Sequence, residues 1–244
     1  MASDHIVRSY DEELKTLKDT VVRMGGMAET LLTSAIQAVV KRDSELARRT
    51  VDSDALIDAL EQDIDNLCMR LLALRQPMAG DLREIIAALK ISSDIERIAD
   101  YGANVAKRAI ALSQSAPVKP LHAIPRMTRL AQGMIKDVLD AYRERDVEKA
   151  VDVWQRDEEV DEIYTSLFRE LLTYMMEDPR SISTCTHLLF IAKNIERIGD
   201  HATNVAETIY FLVNGTYLDA DRPKGDTSSL DMVPPPDARA DESD

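Results

Sequence analysis

Acidic residues recur at helical spacing in two stretches of the first half of the chain. Asp54, Asp58, Glu61 and Asp65 stand at i, i+4, i+7 and i+11, and Glu96 and Asp100 stand at i and i+4. Like charges one helical turn apart cost a few tenths of a kcal/mol per pair. The second half repeats the arrangement with Asp157 and Asp161, then Glu196 and Asp200, while Tyr164 and Phe168 take the places of the two further acids. If the helices that carry them lie side by side, four carboxylates meet per half: Asp54, Asp58, Glu96 and Asp100, then Asp157, Asp161, Glu196 and Asp200. Such all-oxygen sets suit divalent or trivalent hard cations (Mg²⁺, Mn²⁺, Ca²⁺ or iron, with Zn²⁺ admitted) and disfavour copper.

On a helical wheel, Ile95, Ile98, Gly102, Val105 and Ala109 define an apolar arc. Glu96, Asp100 and Asn104 fall roughly 130–170° from its centre, which predicts that they face outward. Glu196, Asp200 and Asn204 repeat this around Ile195, Ile198, Ala202 and Val205. A second reading stands beside the cation site. The acids are solvated helix faces, with Arg97 and Arg197 beside them as surface ion partners of little energetic weight.

The elements that must position these residues are long amphipathic helices. Pro77, Pro117, Pro120, Pro125 and Pro179 punctuate the chain, and between them the apolar periodicity predicts helices over roughly 6–41, 44–75, 79–113, 121–144, 147–177 and 181–213. No stretch alternates with a period of two, so the fold class is all-α. An internal repeat organises the helices. Residues 91–110 (ISSDIERIADYGANVAKRAI) and 191–210 (IAKNIERIGDHATNVAETIY) are identical at nine of twenty positions. Arg42-Asp43-x-Glu45-x-Ala47 recurs as Arg145-Asp146-x-Glu148-x-Ala150, at an offset of 103 rather than 100. Two tandem three-helix bundles follow, residues 1–116 and 117–213, joined through SQSAPVKP at 113–120. Residues 214–244 hold eight acids against three bases with little apolar content, a composition expected to remain disordered.

Composition narrows the function. Aromatic residues make up 5% of the chain, favouring helix bundles over sandwiches, and the formal charge of −14 argues against nucleic acid as a partner. The start of the sequence lacks a basic-then-apolar export pattern, and no segment approaches the ~20 apolar residues of a membrane span, so a cytoplasmic protein without direct membrane insertion is expected. Cys68 and Cys185 form no CxxC, and Cys68 lies on an apolar stripe as a buried thiol.

The Ile95–Asp100 (IERIAD) and Ile195–Asp200 (IERIGD) blocks resemble the twin signatures of the PhoU family of phosphate-transport accessory proteins. Met24-Gly25-Gly26-Met27, Gln76-Pro77-x-Ala79-x-Asp81-Leu82-Arg83 and Leu172-Thr173-Tyr174-Met175-Met176-Glu177-Asp178 resemble that family as well. The resemblance implies two pseudo-twofold-related three-helix bundles, a homodimer, and multinuclear metal sites on the outer bundle faces. Its metal motifs fall on Glu96/Asp100 and Glu196/Asp200, with Asp54/Asp58 and Asp157/Asp161 on the neighbouring helices. It also implies a negative regulator that restrains phosphate uptake and phosphate-starvation signalling. The implied partners are the ATPase subunit of the phosphate ABC transporter and the associated sensor histidine kinase. One departure is Ala99, where the second repeat has Gly199, a change read as mild.

Other residues carry less. His201 adjoins Asp200, but its counterpart is Tyr101, so it is read as a surface histidine; Trp154, Met175 and Met176 are read as packing. A carboxylate-bridged metalloenzyme would use Glu-xx-His pairs, and none occurs. No enzyme is expected. The alternatives to a phosphate regulator are a helical metalloprotein or an adaptor of an unrelated pathway.

Overall fold

The computed structural model describes residues 2–115 and 123–218, with side chains from Tyr10 onward. The described residues form six α-helices: α1 (Ala2–Lys41), α2 (Ser44–Arg75), α3 (Gly80–Ser113), α4 (Ala123–Glu144), α5 (Val147–Glu177) and α6 (Ile182–Asn214), with a 3-10 turn at Pro179–Ser181. The all-α expectation holds, and the helix ends fall close to those read from proline and periodicity. Most of the predicted linker and the bulk of the predicted acidic tail lie outside the described residues.

The Arg-Asp echo in the sequence is a turn used twice. Arg42 (φ 55°) and Arg145 (φ 58°) are left-handed, and the next amide reaches back across them, Asp43 N–H to the Ala38 carbonyl and Asp146 N–H to the Ala141 carbonyl, each at 3.0 Å. This wraps the orphan carbonyls of one helix. The same aspartate then caps the next helix: Asp43 accepts from the amides of Glu45 and Leu46, and Asp146 from that of Lys149. One dipeptide thus ends a helix and starts another, fixing the register of α2 under α1 and of α5 under α4.

In the first half α3 packs on α1 and α2, in the second α6 packs on α4 and α5, and α3 and α6 pack on each other. That seam is antiparallel. Arg83 donates to the Leu212 carbonyl, Asp94 meets His201, Tyr101 meets Arg197, and Arg108 meets His187, so numbers rise on α3 as they fall on α6. Because residues of α3 recur one hundred places later on α6, the seam is a pseudo-twofold axis passing near Ile98 and Ile198. Both isoleucines are buried.

A second junction between halves joins α1 to α4. Gly25 allows its close approach, since a methyl there would overlap the Leu139 side chain, whereas a methyl on Gly26 would meet nothing within 4 Å. Alanine gains about 1 kcal/mol over glycine within a helix, and overpacking costs about 1–3 kcal/mol. Gly26→Ala is therefore expected to raise the melting temperature by a few degrees and Gly25→Ala to lower or at best hold it. Thermal denaturation of the two variants checks this, with Gly26→Ala expected to melt above Gly25→Ala.

Candidate metal centres

The structure brings the predicted acids together on paired helices, α2 with α3 and α5 with α6, but at two different depths. In the first half the group is half-buried. The Glu96 side chain is 19% exposed and that of Asp100 39%, with Arg97 loosely between them, Nε at 3.6 Å from Glu96 Oε2 and Nη1 at 3.5 Å from Asp100 Oδ2. Burial, then the charge of Asp100, pushes the Glu96 carboxyl up to about 7. Asp54 is raised by burial and by Asp58 and Asp100, opposed by Lys107. Glu61 is raised by burial and by Asp65 and Asp58. These couplings place Asp54, Asp58, Glu61, Glu96 and Asp100 in one electrostatic cluster.

In the second half the acids are inside. Asp157 is 1% exposed, Asp161 3% and Glu196 5%, with Asp200 half-buried. This corrects the outward placement expected for Glu196. A wheel drawn for one helix counts only its own apolar arc, while α6 is covered by α3, α4 and α5 over most of its girth. Gly199 has a consequence here that the sequence did not disclose. A methyl on it would stand 3.1 Å from Asp157 Oδ1, so the missing side chain admits the Asp157 carboxylate between the helices. Ala99 carries that methyl in the first half, and Asp54, the repeat counterpart of Asp157, stays nearer the surface.

Glu196 is pushed up to about 7, chiefly by burial and also by Asp200 and Asp161, against the pull of Lys193. Lys193 Nζ lies 2.8 Å from Glu196 Oε1 and 4.8 Å from the centre of the Tyr164 ring. Tyr164 is buried and packs on Phe168, so the two aromatic replacements line the place where the first half has Glu61 and Asp65.

Two observations match a hard cation to these oxygens. The buried Asp54 Oδ1 and Glu196 Oε2 atoms have no hydrogen-bond partner in the protein, and Glu96 and Glu196 hold protons far above the ordinary glutamate range. Among the described residues no three His, Cys, Asp or Glu side chains close around one point that would hold an ion. The donor set therefore fits in type, as an open array rather than a finished cage.

Several residues do something other than the sequence suggested. His201 turns to the other half, its Nδ1 2.8 Å from Asp94 Oδ1, with its ring 5.6 Å from that of Tyr101. It ties α3 to α6. No periodicity signals a pairing so distant in sequence. Trp154 packs as expected and also donates Nε1–H to Glu207. Met175 is half-buried and Met176 exposed, against a core role for the latter. Cys68 is buried, and burial pushes its thiol up to about 12. A cavity of about 380 Å³ between α3 and α6, lined by Lys90, Asp94, Asn204, Glu207, Phe211 and Tyr217 among others, also escaped the sequence and contains none of the predicted ligands.

Six helices in two matched halves, with carboxylates gathered on neighbouring helices of each, define a duplicated helical-bundle protein with candidate cation sites. The PhoU domain matches the chain twice, over residues 21–109 and 124–209. The chain is 53% identical over 228 residues to the phosphate-specific transport system accessory protein PhoU homolog of Caulobacter vibrioides, covering 93% of this chain and 99% of the relative. It is 50% identical over 235 residues to the homolog of Rhizobium meliloti, covering 96% and 99%. The crystal structure of PhoU from Pseudomonas aeruginosa superposes with a TM-score of 0.82 at 39% identity, covering 85% of this chain and 100% of that one. PhoU from Streptococcus pneumoniae, described as a phosphate transport system regulatory protein, gives 0.81 at 30% identity, covering 86% and 100%. The chain belongs to the PhoU family. Among the described residues no helix is long and apolar enough to cross a membrane.

The raised Glu96 carboxyl sets a sign. With the folded value near 7 and the ordinary glutamate value at 4.5, the unfolded chain loses this proton first. Stability falls as pH rises between those values, and the full penalty is present above the folded value. In chelator-treated protein, Glu96→Gln removes that penalty, so its melting temperature should gain on the parent as pH rises from about 5 to about 8. A difference that stays flat with pH contradicts a raised Glu96.

Proposed function

We propose that the protein is a non-enzymatic regulator of phosphate uptake, restraining a phosphate ABC transporter and the phosphate-starvation response when phosphate is plentiful. Its action runs through protein contacts in the cytoplasm, with the transporter's ATPase subunit and the sensor histidine kinase as partners, and as a homodimer. The observation that carries this reading is membership of a family whose relatives are named as accessory proteins of phosphate-specific transport. Helices of 22 to 40 residues offer extended faces for docking.

Within that role Asp54, Asp58, Glu96 and Asp100 are proposed to hold a hard cation (Fe, Mn, Mg or Zn) on the first half, and Asp157, Asp161, Glu196 and Asp200 are the corresponding set on the second. A bound cation supplies positive charge against which these carboxylates ionise together. The chain's own residues do the rest: α2 and α3 hold the first acids in register, and Arg97 swings at the rim as a displaceable counter-charge. Because buried like charges hold neighbouring helices apart, neutralising them stiffens the pair and fixes the face presented to a partner.

A second reading is favoured by the open spacing of the acids, which close around no common point among the described residues. In it the half-exposed first cluster docks directly on a basic partner surface.

The test is a phosphate-starvation reporter in cells lacking the native protein, complemented with wild type or with Glu96→Ala plus Glu196→Ala, beside elemental analysis of each purified protein. The cation reading expects the double variant to lose metal and to derepress the reporter in high phosphate. Repression that persists with metal lost removes the cation from the mechanism. Repression lost in a protein that never held metal leaves direct docking.

A further inference from the structure

The basic side chain that meets the acids differs between the halves, Arg97 in the first and Lys193 in the second. The proposal rests on the cation reading given above. In the second cluster Lys193 reaches Glu196 at 2.8 Å, while its ammonium sits over the Tyr164 ring at 4.8 Å. The repeat counterparts of these two residues are Ser93 and Glu61. The second half thus has a cation where the first has a hydroxyl, and an aromatic seat for it where the first has another acid. Cation–ring contact within about 6 Å of the centroid is attractive, more so when water is excluded. The Lys193 side chain is itself 34% exposed, and that of its carboxylate partner 6%.

The arginines reinforce the difference. Arg197 donates to the Tyr101 hydroxyl across the seam at 3.3 Å. On the pseudo-twofold-related side the residue facing Arg97 is His201, which is already engaged by Asp94. Arg97 instead lies over its own Glu96 and Asp100 at 3.6 and 3.5 Å, and its side chain is 56% exposed. An exposed, loosely held guanidinium of this kind contributes little and is readily displaced. Lys193 is short-bonded to a buried carboxylate, and removing one partner of a buried pair leaves an uncompensated charge.

We propose that Lys193 is a tethered cation that closes the α5–α6 carboxylate cluster, so that an exchangeable metal ion binds only at the α2–α3 cluster. The second cluster keeps its latent capacity. Glu196 Oε2 is buried without a hydrogen-bond partner, and withdrawing the ammonium leaves Oε1 unpaired as well, so that both oxygens lack a partner until an ion supplies one.

The experiment uses full-length protein stripped with chelator and dialysed against Mn²⁺, with bound metal measured by elemental analysis and thermal stability measured at about pH 8. Wild-type metal should be abolished by Glu96→Gln with Asp100→Asn. In that background Lys193→Met should regain about one ion or more per chain, removed in turn by Glu196→Gln. Lys193→Met alone should melt below wild type without metal and recover on adding Mn²⁺. Lys193→Arg, which keeps the charge, should bind as wild type does and confirms that the fold tolerates the position. Wild-type protein holding metal that Glu196→Gln removes would overturn the closure while leaving the cation reading intact. Wild-type protein holding no metal would overturn the cation reading. In that case Lys193→Met decides the closure by itself: metal gained and stability restored support it, and no gain overturns it.

Discussion

Carboxylates taken out of water must be protonated, paired or bound to a cation, and this requirement gives the duplicated bundle its character. Three acids of the second half are almost wholly buried, and the first-half set lies between solvent and the helix interface. Such groups oppose folding unless something of opposite charge joins them. The long helices, the repeated turns and the antiparallel seam hold the acids within reach of one another despite that opposition. Apolar packing along α3 and α6 supplies the holding force, with isoleucine, valine and alanine buried at nearly every turn.

The repeats share a backbone plan and differ in how each satisfies that requirement. Gly199 lets Asp157 sink, Tyr164 and Phe168 wall the space, and Lys193 enters it. In the first half, where Ala99 stands in place of Gly199, the acids lie shallower, Glu61 adds to the charge, and Arg97 and Lys107 oppose it. Divergence after duplication has produced two electrostatic environments on one fold. The contrast is carried by a handful of side chains, Gly199, Tyr164, Phe168 and Lys193 against Ala99, Glu61, Asp65 and Ser93.

Much of the architecture was legible in the sequence because it is written locally. Prolines and three-to-four-residue apolar spacing marked six helices, and the Arg-Asp echo marked the repeat, although its part as a helix-ending turn with a capping aspartate emerged only in the structure. The pairing of acids across neighbouring helices was also readable, since the repeat showed the same spacing twice. Depth was not. Burial of Glu196 depends on which three helices cover α6, and a wheel for one helix has no term for its neighbours. The partner of His201 is Asp94, in the other half of the chain, and no local pattern joins them. Gly199 read as a mild change because its meaning lies in the Asp157 carboxylate beside it, on another helix.

Anomalous diffraction from crystals soaked in Mn²⁺ tests the central claim most directly, because it locates each ion instead of counting it. A peak between α2 and α3 beside Glu96 and Asp100, with the Lys193 ammonium still on Glu196 and no peak there, is the predicted result. Peaks of equal height at both clusters, or a peak at Glu196 alone, would contradict the division of the two halves into an open site and a lysine-closed one.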